Sequence, residues 1–210
     1  MKKCVYFAEN QKNPEEGAGL LPGYGFRPDG SWRGKPIPVE EIGLLLDDRC
    51  LPNQAGLAAA CRALSAWEGI IILDFERPFF CLLAELIKSL QPKRVVVPPS
   101  YSDYPHTGVL VGPWQGNGGY RAWLSEQQRR YGRIVLDAAP LCVQCYPGGR
   151  RCPWDKAMPE TGYPCPALGC LHRRLPDGSI LLWDTKQTLV DRLNASGVPA
   201  ILFRSDWERI

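Results

Sequence analysis

The sequence predicts a mixed α/β chain folded as a compact (β/α)8 barrel of the TIM type, with some outer helices missing or reduced. Three observations carry that expectation. Short apolar runs alternate with segments of helical spacing, the pattern of a parallel sheet covered on both faces. Eight of those runs read as strands, the number such a barrel needs, although 210 residues is near its lower size limit. The 21 glycines and 20 prolines demand many turns and long loops and exclude a helical bundle. An open doubly wound sheet is the alternative arrangement of the same elements.

In chain order, Cys4–Ala8 reads as the first strand. Residues 9–41 are rich in Gly, Pro and charge, with a weak strand at Tyr24–Arg27 closed by the turn Pro28-Asp29-Gly30. Ile42–Asp47 is a clear strand, and Gln54–Trp67 then sets Leu57, Ala60, Cys61 and Leu64 at helical spacing. Gly69–Glu76 is the strongest strand, followed by a helix over Phe79–Leu90 with Leu82, Leu83, Leu86 and Ile87 on one side. Strands at Arg94–Val97 and Val109–Val111 precede a helix at Tyr120–Tyr131 and a strand at Arg133–Leu136. A Cys-rich segment follows. Ile180–Trp183, a helix near Thr185–Asn194 and a last strand at Ala200–Phe203 complete the chain, and Ile180–Trp183 is left out of the eight. The whole, residues 1–210, reads as one barrel domain carrying a Cys-rich insertion at 142–172 before its last helix.

Composition narrows the functional classes. With 45% hydrophobic residues, seven Trp, eight Tyr and six Phe, the chain has ample core material and is not disordered. A net charge of +3 provides no phosphate-tracking stripe, which disfavours nucleic acid as a partner. No run approaches the roughly 18 apolar residues of a membrane span. The N-terminus begins like a signal peptide, but its apolar run ends at Ala8, short of an export signal, so synthesis for the cytoplasm is expected.

The most informative stretch is Trp67-Glu68-Gly69-Ile70-Ile71-Ile72-Leu73-Asp74-Phe75-Glu76-Arg77-Pro78. Alternate strand residues share a face, so Ile70, Ile72, Asp74 and Glu76 are expected to point into the barrel. The run turns acidic only at its C-terminal end, the rim where barrel enzymes keep their chemistry. Two carboxylates this close repel, which raises the pKa of one and provides a proton for general acid catalysis, with Glu76 as donor and Asp74 as partner. The plainer reading is that both acids pair with Arg77 or another arginine and merely solvate the strand end.

Residues 68–78 resemble the fourth-strand signature of the family-18 glycoside hydrolases, the chitinase-like barrels, and most of all their spore-germination, peptidoglycan-directed branch, which ends this strand in Asp-Phe-Glu. Arg94-Val95-Val96-Val97-Pro98-Pro99 looks like that branch's fifth strand. Tyr131–Leu136 with Ala139-Pro140-Leu141 looks like its seventh, and Ile180–Trp207 is similar to the segment holding its last helix and eighth strand. The likeness covers residues 68–207 outside the Cys-rich part. It implies hydrolysis of β-linked N-acetylated glycans, of chitin-oligomer or peptidoglycan type, in which the sugar's own acetamido group attacks the anomeric carbon. Glu76 stands where the family has its proton donor and Asp74 where it orients the acetamido group. Spore association follows from the same likeness. The chain also departs from the family. The additional acids of this strand fall on Gly69 and Ile72, the sixth strand reads Val-Leu-Val-Gly-Pro-Trp where the family has Tyr-Asp, the sugar-flooring tryptophan falls near Phe203, and Asp47-Asp48-Arg49 replaces a Gly-Gly turn. The alternative to an active glycosidase is therefore a catalytically silent barrel that binds a glycan or a protein partner.

Further residues fall at or just after strand ends: Asp47 and Asp48, Tyr101 and Tyr104, Trp114 and Gln115, Asp137, Arg204 and Asp206. Of these Asp47, Tyr101, Trp114, Gln115, Asp137 and Arg204 are the expected substrate-binding set, since sugars stack C–H faces on aromatic rings and bond hydroxyls to carboxylates and amides. Loop anchoring is the competing role for each. A weaker option is a hard cation held by Asp47, Asp74, Glu76 and Asp137. His106 and His172 are the only histidines, and neither lies at a strand end that would support a nucleophile relay.

Of nine cysteines, Cys4, Cys50, Cys61 and Cys81 lie among apolar neighbours and read as buried thiols. Cys142, Cys145, Cys152, Cys165 and Cys170 crowd one segment. Cys142-x2-Cys145 with Cys165-x4-Cys170 suits a structural zinc, with Cys152 or His172 as substitutes; disulfides or free thiols are the other readings. Catalysis itself calls for no cofactor.

Overall fold

The computed structural model describes residues 5–8, 18–34, 43–90, 95–104, 108–116 and 118–210. The Cys4, Ile42, Arg94 and His106 readings fall outside them, as does most of segment 9–41. Among the described residues two sheets account for the strands.

The larger sheet is built from β1 (Val5–Ala8), β2 (Ala18–Phe26), β4 (Gly43–Asp47), β5 (Ile70–Asp74), β6 (Val95–Val97), β7 (Gly108–Val111), β8 (Ile134–Asp137) and β14 (Ala200–Phe203), with the short β3 (Trp32–Arg33) on the flank of β2. Seven of these match the runs that the sequence singles out to within two residues, while β2 begins at Ala18, six residues before the weak strand expected at Tyr24–Arg27. Neighbours run parallel from β2 through β4, β5, β6, β7 and β8 to β14. The sheet curls, and β1 pairs with both β14 and β2. Both of those pairings are antiparallel, a correction to the uniformly parallel barrel expected.

Helices α1 (Gln54–Ser65), α2 (Cys81–Ser89) and α3 (Tyr120–Tyr131) join β4 to β5, β5 to β6 and β7 to β8, while α4 (Lys186–Ser196) precedes β14 and the single turn α5 (Arg204–Trp207) follows it. Between β6 and β7 the described residues hold only a 3-10 turn, Pro99–Tyr101. Pro98 and Pro99 start it, at the cap and first position where a missing N–H costs nothing. The structure is thus a mixed α/β fold around a curled, mostly parallel sheet.

Strand alternation sorts the apolar residues into two clusters. Leu20, Leu45, Ile70, Ile72, Val96, Val135 and Ile201 fill the concave side of the curl. Leu44, Leu46, Ile71, Leu73, Val97 and Leu136 face outward against Leu57 and Leu64 of α1, Leu83 and Ile87 of α2, and Leu189 of α4. Gly43 belongs to the concave side because a Cβ there would lie 2.3 Å from Leu20 Cδ2 and 2.5 Å from Ile70 Cγ2.

The second sheet has the order β10-β9-β13-β12-β11, all antiparallel, from β9 (Cys142–Cys145), β10 (Arg151–Pro153), β11 (Tyr163–Cys165), β12 (Cys170–Arg174) and β13 (Ile180–Trp183). Ile180–Trp183 therefore lies outside the curled sheet, as expected, and the inserted unit runs on to Trp183. It is joined to the rest by Asp184, whose carboxylate takes two bonds from Arg192 of α4 (2.6 and 2.5 Å) and one from the Leu141 N–H (2.7 Å). Arg192 lies over the rings of Trp114 and Tyr120, at 5.2 and 5.4 Å.

Candidate functional site

Parallel strands that bury a period-2 apolar row inside a curl leave their last inward residue at the C-terminal mouth. On β4 that residue is Asp47, on β5 Asp74 and on β8 Asp137. Asp47 and Asp74 are register partners, while Ile201 of β14 pairs with Asp137. Aspartates from three strands thus stand above the apolar floor of Ile72, Val135 and Ile201.

Their environments differ. Asp47 is ionically matched: Arg33 Nη2 lies 2.6 Å from its Oδ2, and Arg49 lies 4.0 Å away. Gly25 makes room for that pair, because a Cβ there would lie 3.1 Å from both the Arg33 guanidinium and the Asp47 carboxylate. Asp74 is held above its ordinary value, first by burial and then by the charges of Glu76, Asp48 and Asp47. Asp137 is pushed up to about 6, again mainly by burial, with Asp74 and Asp206 adding to it and the Ala139 N–H opposing. The charge of Asp74 is therefore felt by Asp137 across the mouth. One carboxyl that keeps its proton near neutral pH beside others that ionise is an acid–base arrangement.

Glu76 is placed differently from the expectation. Strand β5 ends at Asp74, and Glu76 is exposed beyond it. The cause is Asp48, buried at 4% exposure, whose carboxylate accepts the N–H groups of Glu76 (3.1 Å) and Arg77 (2.9 Å) and draws the chain out of the ladder. Arg77 completes the anchor by donating to the carbonyls of Asp48 and Arg49 (both 3.0 Å). Glu76 still lies close enough for its charge to act on Asp74.

Several expected sugar contacts turn out to be packing. Tyr101 is 1% exposed, its hydroxyl accepts the Phe80 N–H at 2.9 Å, and its ring packs against Phe75 and Phe79. Trp114 is buried against Tyr120 beneath Arg192. Both follow strand ends, yet their apolar area is taken by the outer core. Gln115 is exposed, but its carbonyl accepts from Arg151 of β10 (2.7 Å), a tie to the second sheet. Arg204 is exposed and pairs with Glu208 at 2.6 Å. Of the expected set the mouth retains Asp47, Asp74 and Asp137, with Glu76 at its edge.

The zinc expectation for Cys142, Cys145, Cys165 and Cys170 meets a different geometry. Cys142 and Cys145 sit on β9, not on a tight turn, and three residues along a strand place them on opposite faces. Cys142 Sγ lies 3.9 Å from the Trp154 carbonyl and 3.7 Å from Met158 Sδ, whereas Cys145, Cys165 and Cys170 pack toward the main core. Among the described residues no three His, Cys, Asp or Glu side chains converge as a metal centre, and this holds for the aspartates at the mouth as well.

Asp206 and Arg33 complete the electrostatics of the mouth. Asp206 is legible as a rim residue after the last strand; Arg33 carries no sequence signal, since its partner lies 14 positions away in a separate strand. The hub pair Asp184–Arg192 is equally silent in the sequence. Compared with protein-family models, with curated proteins and with solved structures, the chain matches none.

Proposed function

We propose that the chain is an acid–base hydrolase of β-linked N-acetylated glycans, built on a shortened derivative of the (β/α)8 barrel and working at the C-terminal mouth of the curled sheet. The observation that carries this reading is the pair of inward strand-end aspartates in which Asp137 holds its proton up to about pH 6 and Asp74 is the charge that acts on it. Asp137 donates that proton to the glycosidic oxygen as the bond to the anomeric carbon breaks, and Asp74 stabilises the positive charge that develops. The acetamido oxygen of the sugar forms the new bond to the anomeric carbon. Water then displaces it and returns a proton to Asp137. Glu76, exposed at the edge, is the first carboxylate that a glycan arriving from solvent meets.

Burial of Tyr101 and Trp114 supports a second reading, the silent barrel, because it removes the aromatic wall that a sugar cleft uses. Incubation with N-acetylglucosamine oligomers and peptidoglycan fragments, read by mass spectrometry, separates the two. Cleavage that falls by about 10²–10⁴-fold in Asp137→Asn and in Asp74→Asn supports the hydrolase. Its rate falls as pH rises above about 6, where the donor is deprotonated. Loss in Glu76→Gln alone returns the donor role to Glu76. Absence of cleavage by the folded wild-type chain leaves the silent barrel.

A further inference from the structure

The antiparallel hairpin β11–β12 brings Cys165 and Cys170 directly opposite each other at its closed end. The turn between them, Pro166-Ala167-Leu168-Gly169, is fixed by the N–H groups of Leu168 (3.0 Å) and Gly169 (2.8 Å) on the Cys165 carbonyl, with Gly169 at φ +65°. Directly opposed residues of an antiparallel pair have Cα atoms about 4.5–5.5 Å apart and side chains on the same face. That spacing lies within the roughly 4.4–6.8 Å that a disulfide spans. Both residues are free thiols, and both line the wall of a groove of about 750 Å³ between this hairpin, the start of α3 and one side of α4.

We infer that Cys165 and Cys170 are a cross-strand dithiol, a redox site in the groove wall that closes to a disulfide by exchange with a low-molecular-weight disulfide such as oxidised glutathione. The two sulfurs have unequal access. Cys165 is half-buried and Cys170 only 2% exposed, so the small disulfide meets Cys165 first. In the first step the Cys165 thiolate attacks one glutathione sulfur, the glutathione S–S bond breaks, and one glutathione leaves as thiolate. In the second the Cys170 thiolate attacks Cys165 Sγ, expels the second glutathione and forms the Cys165–Cys170 bond. Two protein thiols are oxidised, one glutathione disulfide is reduced to two thiols, and the balance is complete.

Cys170 faces Asp184 at the end of β13, Cys165 on β11, Cys145 on β9 and Arg192 on α4. Burial, with the Asp184 charge next, pushes its thiol up to about 12. The second step therefore waits on Cys170 ionisation and speeds up about tenfold per pH unit between about pH 7 and pH 9.

Trypsin cleavage after Lys156 and Arg173 yields one peptide, residues 157–173, that carries these two cysteines and no other. The native chain is incubated with oxidised glutathione, quenched in acid, alkylated without reduction and digested. Closure predicts this peptide lighter by two hydrogens and without an alkyl group. Two alkyl groups, two glutathione adducts, or a link to a peptide holding Cys142, Cys145 or Cys152 overturns the inference. In Cys170→Ser, with its fold checked by circular dichroism, the mixed disulfide stays on Cys165. A pH-independent second step in the wild-type chain removes Cys170 as the resolving thiol, and that readout needs no variant. None of these outcomes depends on glycan cleavage.

Discussion

The curled sheet and the five-stranded sheet are held together by different chemistry. The first is a ladder of β-branched and leucine residues whose concave and outward rows are apolar almost to the strand ends. The second buries polar groups: Gln144 donates to Ser179 Oγ (2.7 Å), both buried, and reaches out to the exposed Asp177 (3.1 Å), which in turn accepts from the Ser179 N–H (3.0 Å) and hydroxyl. Its attachment to the rest runs through the buried Asp184–Arg192 pair. Apolar burial tolerates adjustment and scales with area. A buried polar network is strong only while every member is satisfied. The second sheet should accordingly be the more brittle of the two.

The largest effect is expected at that pair. Arg192→Leu strands a carboxylate that is fully buried, and breaking a buried pair in this way costs about 3–5 kcal/mol. Urea unfolding measures the cost. Hydrogen exchange tests the comparison, because protection should fall further in β9, β12 and β13 than in β4 and β5. An equal fall in both sheets would mean that the second is held on by its apolar contacts. The double variant Asp184→Leu/Arg192→Leu should recover part of the loss, though not the bond to the Leu141 N–H.

Asp137 tests the other sheet, and the expected sign is opposite. Its folded-state pKa, about 6, lies above the ordinary 3.8, so the folded chain binds more protons than the unfolded chain between those values. Stability therefore falls as pH rises from about 4 to about 6, and the carboxylate is a burden at pH 7. Asp137→Asn should flatten that fall and stabilise the chain at pH 7 by on the order of 2 kcal/mol, allowing for partial exposure. On the proposed hydrolase reading it should also lower glycan cleavage by about 10²–10⁴-fold, so that stability and activity move in opposite directions. Unchanged pH dependence of urea midpoints would show that Asp137 does not carry the proton.

The same contrast explains what could be read in advance. The central strands of the curl are visible because Leu44–Leu46, Ile70–Leu73 and Val95–Val97 are unbroken apolar runs, the mark of strands covered on both faces, while only the end of β2 is legible because Pro22, Gly23 and Gly25 interrupt its pattern. The period of two points Asp74 inward, whereas Asp47 and Asp137 are legible only as strand-end residues until the register of β4 and β8 is known. The reversed direction of β1 was hidden, since alternation is the same in either direction. Glu76 was misplaced because Asp48, 28 residues earlier, ends the strand before it. Tyr101 and Trp114 show the limit of aromatic residues as a sugar signal, for a ring after a strand end fills a core as readily as it lines a cleft. The second sheet was illegible as a sheet because its strands are short, carry Cys, Pro and Arg, and are joined by bonds that no local pattern announces.

Where α1 meets the turn after β2, space decides against propensity. Gly56 has helical backbone, and Ala is favoured in a helix by about 1 kcal/mol. A Cβ at this position, however, would lie 1.9 Å from the Gly30 carbonyl oxygen, a backbone atom. Gly56→Ala should therefore destabilise by about 1–3 kcal/mol through forced separation of α1 from the 28–30 turn. Gly119→Ala at the start of α3, with its nearest neighbour 3.7 Å away, is the contrast and should be tolerated. A stabilising Gly56→Ala would show that the turn can move freely.

The two capped helices give the smallest effects and the finest discrimination between the sheets. Asn53 caps α1 by accepting the Gly56 N–H (2.7 Å) while its amide donates to the Asp29 carbonyl (2.8 Å), so all of its bonds lie on the curled-sheet side. Thr185 caps α4 reciprocally with Thr188, and Thr188 also donates to Asp184 (3.2 Å). Asn53→Ala and Thr185→Ala should each cost about 1 kcal/mol. Only the second should be felt in the second sheet, because loosening Thr188 slackens the Asp184 hub and with it β13. Exchange at the amides of Ile180–Trp183 should rise in Thr185→Ala and stay unchanged in Asn53→Ala. Asn53→Asp, which keeps the acceptor for Gly56 and gives up the donor to Asp29, should lose less than Asn53→Ala. A matching rise in β13 for both alanine variants would mean that the two sheets share their stability, and the contrast between them would then be one of chemistry alone.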